Sequence, residues 1–247
     1  MVLATLVVGV LAWPMLFTTS GFGGDWEHHL WQVWHQSLAI RADHSPSLFL
    51  NSEYSVFYPV YAFYGGTLYA LAGSLAIVLG DSSLAAYVLS YVLCFAAAYG
   101  GWYWISRAVG LRGWLAHAPA LLFVTSACYL TLVYAQGDWP EFVAMSMIAP
   151  MIAAGLSVLR APKLRVLPAL ALVASSAVFF GSHILTVLWA STLFALLLAA
   201  VVVCVPAARR QLRPRRLARV AALLVPAVLV NGWFLAPLVA YASHTRI

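Results

Sequence analysis

The chain has 247 residues, of which 64% are hydrophobic and only 8% charged. An ordinary soluble domain carries about a quarter charged residues, so this composition excludes both a soluble globular protein and a disordered chain. The net charge of +6 would suit nucleic acid, but the basic residues sit in short segments between apolar runs, as in membrane topology, and form no binding face. A mean hydropathy of +0.92 points instead to a polytopic membrane protein.

Apolar runs predict helices over 2–17, 58–79, 84–106, 114–134, 141–159, 166–181, 183–206 and 220–241. The expectation is therefore an all-α, polytopic helical membrane protein of about eight transmembrane helices, with residues 1–247 forming a single transmembrane domain. The first run lacks a basic flank and a small-residue cleavage site and reads as an uncleaved helix. The stretch 166–206 would make one helix of about 60 Å, twice the hydrocarbon thickness, so Gly181-Ser182-His183 is read as a break.

Charge sets the expected orientation. Arg107 and Arg112, then Arg160, Lys163 and Arg165, then the Arg209–Arg219 run fall in three inter-helix loops on one side. The positive-inside rule makes that side cytoplasmic. Asp25, Glu27, Asp43, Glu53, Asp81, Asp138 and Glu141 fall on the other. The N-terminus is then cytoplasmic and the C-terminus of this chain outer, in the inner (plasma) membrane. The Arg209–Arg219 run reads as a topology determinant, with anionic lipid as its alternative partner. Cys94, Cys128 and Cys204 lie far apart in apolar runs and read as packed thiols.

The first outer loop, 18–57, is the one segment long enough to hold chemistry. It opens on Gly21-Phe22-Gly23-Gly24 and continues Asp25-Trp26-Glu27-His28-His29. From Glu27 to Ala42 the pattern is that of an interfacial amphipathic helix. Leu30, Trp31, Trp34 and Leu38 form an apolar stripe, and Asp25, His28, His29, Gln32, His35 and Gln36 gather on the other side. A carboxylate there suits a general base or a divalent-cation ligand, and the imidazoles suit metal or phosphate. The bland alternative is a polar face that touches water.

A second cluster is Tyr134-Ala135-Gln136-Gly137-Asp138-Trp139-Pro140-Glu141. Pro140 and Glu141 suit the first turn of a helix. Alternatively Asp138 and Glu141 face Asp25 across an outer cavity and make a cation or sugar site. The third feature, 51–66, is rich in tyrosine. Tyr58, Tyr61 and Tyr64 read either as an aromatic belt or as the wall of a groove for a sugar or an isoprenoid chain. His183, in the outer turn after 166–181, is either solvated or functional, and His117 reads as structural.

These segments together resemble the GT-C superfamily of membrane glycosyltransferases. Within it the chain is most similar to the bacterial membrane domain labelled 6-pyruvoyl-tetrahydropterin synthase-related, a label that implies no pterin chemistry. The similarity runs through Asp25-Trp26-Glu27-His28-His29, then 58–66, then Gln136-Gly137-Asp138-Trp139-Pro140-Glu141 with Pro150 beyond, and covers roughly residues 20–190. It implies a GT-C-like fold and transfer of a sugar from a polyprenyl-phosphate donor to a cell-envelope acceptor on the outer face. Asp25 and Glu27 would be catalytic. His28, His29, Tyr58, Tyr61, Tyr64, Gln136, Asp138, Glu141 and His183 would bind substrate. A divalent cation, magnesium or manganese, would sit on Asp25 and Asp138. The partners are the lipid bilayer and the lipid-linked sugar, with no nucleic acid. Members commonly carry an arginine where this chain has Gln136, and the chain is short for the superfamily, as a fragment or the N-terminal part of a longer protein would be. The competing classes are a transporter or flippase of lipid-linked material and a non-catalytic membrane assembly subunit. The lack of charge in the middle of the apolar runs favours surface chemistry over ion-coupled transport.

Overall fold

The computed structural model describes residues 2–17, 22–48, 61, 64–205 and 212–241. Tyr58, Glu53, Gly21 and the Arg209–Arg210 pair lie outside the described residues, as do 242–247. Among the described residues the chain is helical throughout and contains no strand. The helices are α1 (Val2–Ala12), α2 (Trp26–Asp43), α3 (Gly66–Val78), α4 (Ser83–Ala108), α5 (Ala118–Val124), α6 (Ala127–Thr131), α7 (Trp139–Arg160), α8 (Val166–Phe180), α9 (Ile184–Cys204), α10 (Pro214–Val230) and α11 (Gly232–Tyr241).

Three of these, α4, α7 and α9, are long and apolar enough to cross a bilayer. Two bent pairs raise the number to five: Gly113–Val124 with Ala127–Gln136, bent by 45°, and α10 with the following helix, bent by 74°. The expected eight spans are therefore not reached on length alone, and eight crossings would also put both termini on one side and the 18–57 loop on the side of Arg107, against the orientation expected from charge. The largest departure is the run 58–79. Its described helix, α3, has 13 residues, about 20 Å at 1.5 Å per residue, against a hydrocarbon core of about 30 Å. The break expected at Gly181-Ser182-His183 is present and separates α8 from α9.

The centre of the bundle is the contact of α4 with α7. The two helices run in the same direction, because Trp139 reaches Ser90 at one end (Nε1 to Oγ, 2.8 Å) and Arg160 reaches the Ala108 carbonyl at the other (2.8 Å). Midway, Gly101 faces Pro150 so closely that a Cβ would overlap the Pro150 backbone nitrogen. Proline at a helix interior has no N–H to offer its own helix, and the missing Cβ of glycine lets the partner helix fill the gap.

The two ends of the bundle differ in chemistry. At one end Trp26, Tyr87, Tyr91, Trp139 and Phe142 interlock as stacked and edge-on rings, with centroids 4.7–5.5 Å apart. At the other, Arg160 caps the last turn of α4 and Arg219 caps that of α7 through the Ala161 carbonyl (3.2 Å). Cations placed on the orphan carbonyls of a helix C-terminus complement its dipole. The aromatic end also receives the C-terminal end of α1, where the Tyr134 hydroxyl donates to the Leu11 carbonyl. α10 runs parallel to α8, its Leu223 and Leu224 packing near Leu172 and its Asn231 donating to the Ala177 carbonyl (3.0 Å).

The cysteines depart from expectation. Cys94 is buried, but Cys128 and Cys204 are exposed on the protein surface.

The α4–α7 contact is close enough to test. Gly101→Leu places a branched side chain where even a Cβ does not fit, and overpacking of this kind costs about 1–3 kcal/mol or more. The expected outcome is a lowered midpoint of thermal unfolding in detergent, with Gly100→Leu, whose Cβ would meet open space, nearly unchanged.

Candidate functional site

Two turns assemble the site, and both are backbone contacts. Gly137, with φ +70°, seats on the start of α2: a Cβ there would lie 2.7 Å from the Trp26 nitrogen and 2.8 Å from the Phe22 carbonyl oxygen. The Asp25 N–H donates to the Gln136 carbonyl (3.1 Å). Gly23, with φ +68°, presses on the Ala135 carbonyl from the other side. Left-handed φ and the lack of a Cβ both call for glycine. The first and second sequence clusters are thus locked together.

The second turn joins Tyr64-Gly65-Gly66 to Gly181-Ser182-His183. A Cβ on Gly65 (φ +74°) would overlap the Ser182 carbonyl, and the Leu68 N–H donates to the Gly181 carbonyl (3.0 Å). Trp233 closes over Gly66 and donates from Nε1 to Thr67 Oγ1 (3.1 Å). Asn231, at the bend between α10 and α11, anchors the same turn from below.

α2 lies across this frame, parallel to α3, with Gly73 admitting the backbone of Gln36 and Ser37. Its amphipathicity is the reverse of a soluble helix. Trp31, Trp34 and Leu38 are exposed, whereas His29, Gln32, Gln36 and Ser37 are buried. The polar face touches protein rather than water, and the tryptophans face outwards as a headgroup-depth belt would.

Buried polar groups need partners, and α2 finds them. The Tyr69 hydroxyl lies 2.5 Å from His29 Nδ1. The Tyr61 hydroxyl donates to the Gln32 carbonyl (3.2 Å) and lies 2.9 Å from His35 Nδ1. The Gln32 amide reaches His28 Nε2 (2.5 Å), and its Oε1 is buried with no hydrogen-bond partner among the described residues. Gln36 is held by both polar groups of Ser47 (2.6 and 3.0 Å).

Of the sequence-predicted residues, Asp25, Glu27, His28 and Gln136 are exposed, and Asp138, Glu141 and His183 are half-buried. Tyr64 is open to the surface with its ring 6.2 Å from that of His29. Tyr61 is fully buried between α2 and α3, a packing position rather than a groove wall. Asp138 is the N-cap of α7, accepting from the Glu141 N–H (3.2 Å). His183 is held by Thr186 (Nδ1 to Oγ1, 2.7 Å).

His29 and His183 are close enough for their charges to interact, as are His183 and Asp138. Burial pushes the His29 imidazole down to about 3, with the charges of His28 and His183 adding to it. Burial also lowers His183, against the upward pull of Asp138. Both rings are therefore neutral donors and acceptors at physiological pH. Among the described residues no three histidine, cysteine, aspartate or glutamate side chains gather as a closed metal site.

Two members of this cluster were missed in the sequence. Tyr69 sits one turn into an apolar helix, and a polar tip at that depth was the available signal. Trp139, whose ring lies 6.4 Å from His29 and 5.3 Å from Tyr69, joins the two turns but reads in sequence as one more aromatic. No family model matches the chain, and neither a curated protein nor a solved structure matches it.

The His29 environment sets a pH dependence. Its folded pKa lies below the unfolded value near 6.5, so its contribution to stability is fully present above about pH 6.5 and is lost as pH falls towards 3. The unfolding midpoint is expected to drop between pH 6.5 and 4, and to drop less in His29→Gln. Tyr69→Phe leaves the buried His29 without its partner and should cost about 1–3 kcal/mol at neutral pH, measured by thermal unfolding.

Proposed function

We propose that the chain is an integral membrane protein that works on a lipid-linked sugar at its aromatic end, in the manner of the GT-C glycosyltransferases it resembles. The observation that supports this most is the pair of glycine turns, which bring Asp25, Asp138, His29, His183 and Tyr64 to one end of the bundle. Surface chemistry at one end suits a reaction on a lipid headgroup better than passage through the bundle.

The aromatic end is taken as the outer face, because Arg107, Arg112, Arg160, Lys163, Arg165 and the Arg213–Arg219 segment belong to the opposite end. The crossings are then α1, α4, the bent pair 113–136, α7, α8, α9 and α10. α2 and α3 stay outside, since α3 is short and runs alongside α2. That placement keeps Asp25, Glu27, Asp81, Asp138 and Glu141 on one side. The one outer arginine of the described loop, Arg41, is paired there with Asp81.

In this reading Asp25 takes the proton of an acceptor hydroxyl, assisted by Glu27. The acceptor oxygen bonds to the anomeric carbon as the bond from that carbon to the phosphate oxygen breaks, and polyprenyl phosphate leaves. His28 and His183 donate hydrogen bonds to the phosphate. His29, fixed by Tyr69, holds α2 in register. Asp138 meets hydroxyls of the donor sugar, and Gln136 and Glu141 meet substrate hydroxyls on the other side of the 137–141 turn. A magnesium or manganese ion would be held openly by Asp25 and Asp138, keeping most of its water, and would neutralise phosphate charge.

One observation favours a second reading, an assembly subunit. α9 has 21 residues, nearly all apolar, of which only Thr186 and Ala190 are buried, a surface suited to another membrane helix.

The test is mass spectrometry of lipids that co-purify in mild detergent, comparing the unaltered protein with Asp25→Asn. The expected result is enriched polyprenyl-phosphate sugar, retained or increased in the variant because binding persists and turnover stops. Bulk phospholipid alone in both would overturn the transferase reading and leave the assembly subunit.

A further inference from the structure

A second recess lies on the far side of the 137–141 turn from the histidines. Its volume is about 460 Å³, within the range of small-ligand pockets. Gln136, Glu141, Thr131 and Cys128 line it together with the apolar Leu132 and Met145. α7 separates it from the histidine cluster. Trp139 and Phe142 point inwards to Tyr69 and Tyr91, whereas Glu141 and Met145, one turn apart, line the recess.

The local backbone is built around this hollow. The helix 113–136 breaks by 45° at Thr125 and Ser126, where Ser126 caps α6 by accepting from the Tyr129 N–H. It then widens into a π-helical turn over Leu132–Gln136 before Gly137 reverses it. Single π turns inside helices recur at functional sites.

The geometry points to an uncharged, hydroxyl-rich headgroup on an apolar tail as the occupant of this recess. Among the described residues no lysine, arginine or histidine lines it, and Glu141 lies close enough to Asp138 for the two carboxyls to hydrogen-bond, so phosphate and carboxylate ligands are repelled. Gln136 and Thr131 each offer a donor as well as an acceptor, and Glu141 offers acceptors. A hydroxyl, which donates and accepts, uses all three, whereas an ammonium group, though drawn to Glu141, leaves the Gln136 and Thr131 donors unused. Leu132 and Met145 continue the hollow as an apolar track for the tail. On the transferase reading, on which its role but not its binding rests, the occupant is the acceptor, a neutral glycolipid lying across the 137–141 turn from the donor.

Cys128 is an exposed thiol in the wall, and Cys94 is buried. In a Cys204→Ser background, Cys128 is thus the reactive thiol of a protein reconstituted in nanodiscs. The measurement is its maleimide labelling rate with octyl glucoside, octyl phosphate or octylammonium, each below its micellar concentration. The glucoside is expected to slow labelling at least threefold and the two charged amphiphiles to leave it unchanged. Glu141→Ala with Gln136→Ala should abolish the protection, and Thr131→Val, on an exposed helix face, should weaken it by a second route. Cys94 staying unreactive until denaturant is added reports that each variant is folded. No slowing, equal slowing by the charged probes, or protection that survives both sets of substitutions would overturn the inference. Protection of Cys128 without any co-purifying lipid-linked sugar would sink the transferase reading and leave the recess standing. The converse would do the opposite.

Discussion

The structure depends on backbone meeting backbone at two glycine turns. Where Gly137 meets Trp26 and Gly65 meets Ser182, no side chain fits. Van der Waals contact between peptide planes fixes position more tightly than side-chain contact, because a peptide plane has no rotamers to trade. The first turn fixes where α2 begins relative to α7, and the second fixes where α3 begins relative to α8 and α9. The histidines, tyrosines and carboxylates between them inherit their positions from these two contacts.

α2 inverts the pattern usual in a soluble helix. In water, a helix buries its apolar stripe. On the proposed reading the exposed face of α2 lies at the bilayer interface, where Trp31, Trp34 and Leu38 lose little by facing out. The polar face goes inwards, and each buried group there costs free energy unless paired. Tyr69, Tyr61 and the Ser47 backbone supply those partners. A helix held by directional hydrogen bonds cannot slide as one held by apolar contact can, which suits a surface that must present His28 and Asp25 in fixed places.

Much of the architecture was legible in the sequence. A helix was expected over 27–42 and runs Trp26–Asp43, because its apolar residues recur at helical spacing. The break at Gly181-Ser182-His183 followed from length alone. The run 58–79 misled because hydropathy reports only that a helix avoids water. It does not separate one that crosses lipid from one that packs its small residues, Ala72, Gly73 and Ala76, against a neighbour. The bend at Asn231 was hidden for the same reason, since the apolar run 220–241 continues through it. Within the site, the pairing of the Asp25 and Gly137 segments was foreseen as a possibility of facing loops. Tyr69 was not, because its role depends on a contact 40 residues away in sequence. Tyr61 was placed in a groove wall by its aromatic density, whereas its hydroxyl serves the α2 backbone.

The central claim is that the Asp25 turn is seated on the Gln136–Gly137 turn, and a paired-cysteine experiment addresses it most directly. Cys94, Cys128 and Cys204 would be replaced by serine, and Asp25→Cys combined with Gln136→Cys. The backbones there are joined by a 3.1 Å hydrogen bond, within the Cα separation that a disulfide spans. The account predicts rapid disulfide formation on mild oxidation in native membranes, and none for Asp25→Cys paired with Arg165→Cys at the arginine end. Failure of the first pair to cross-link while both thiols remain reactive to maleimide would contradict it.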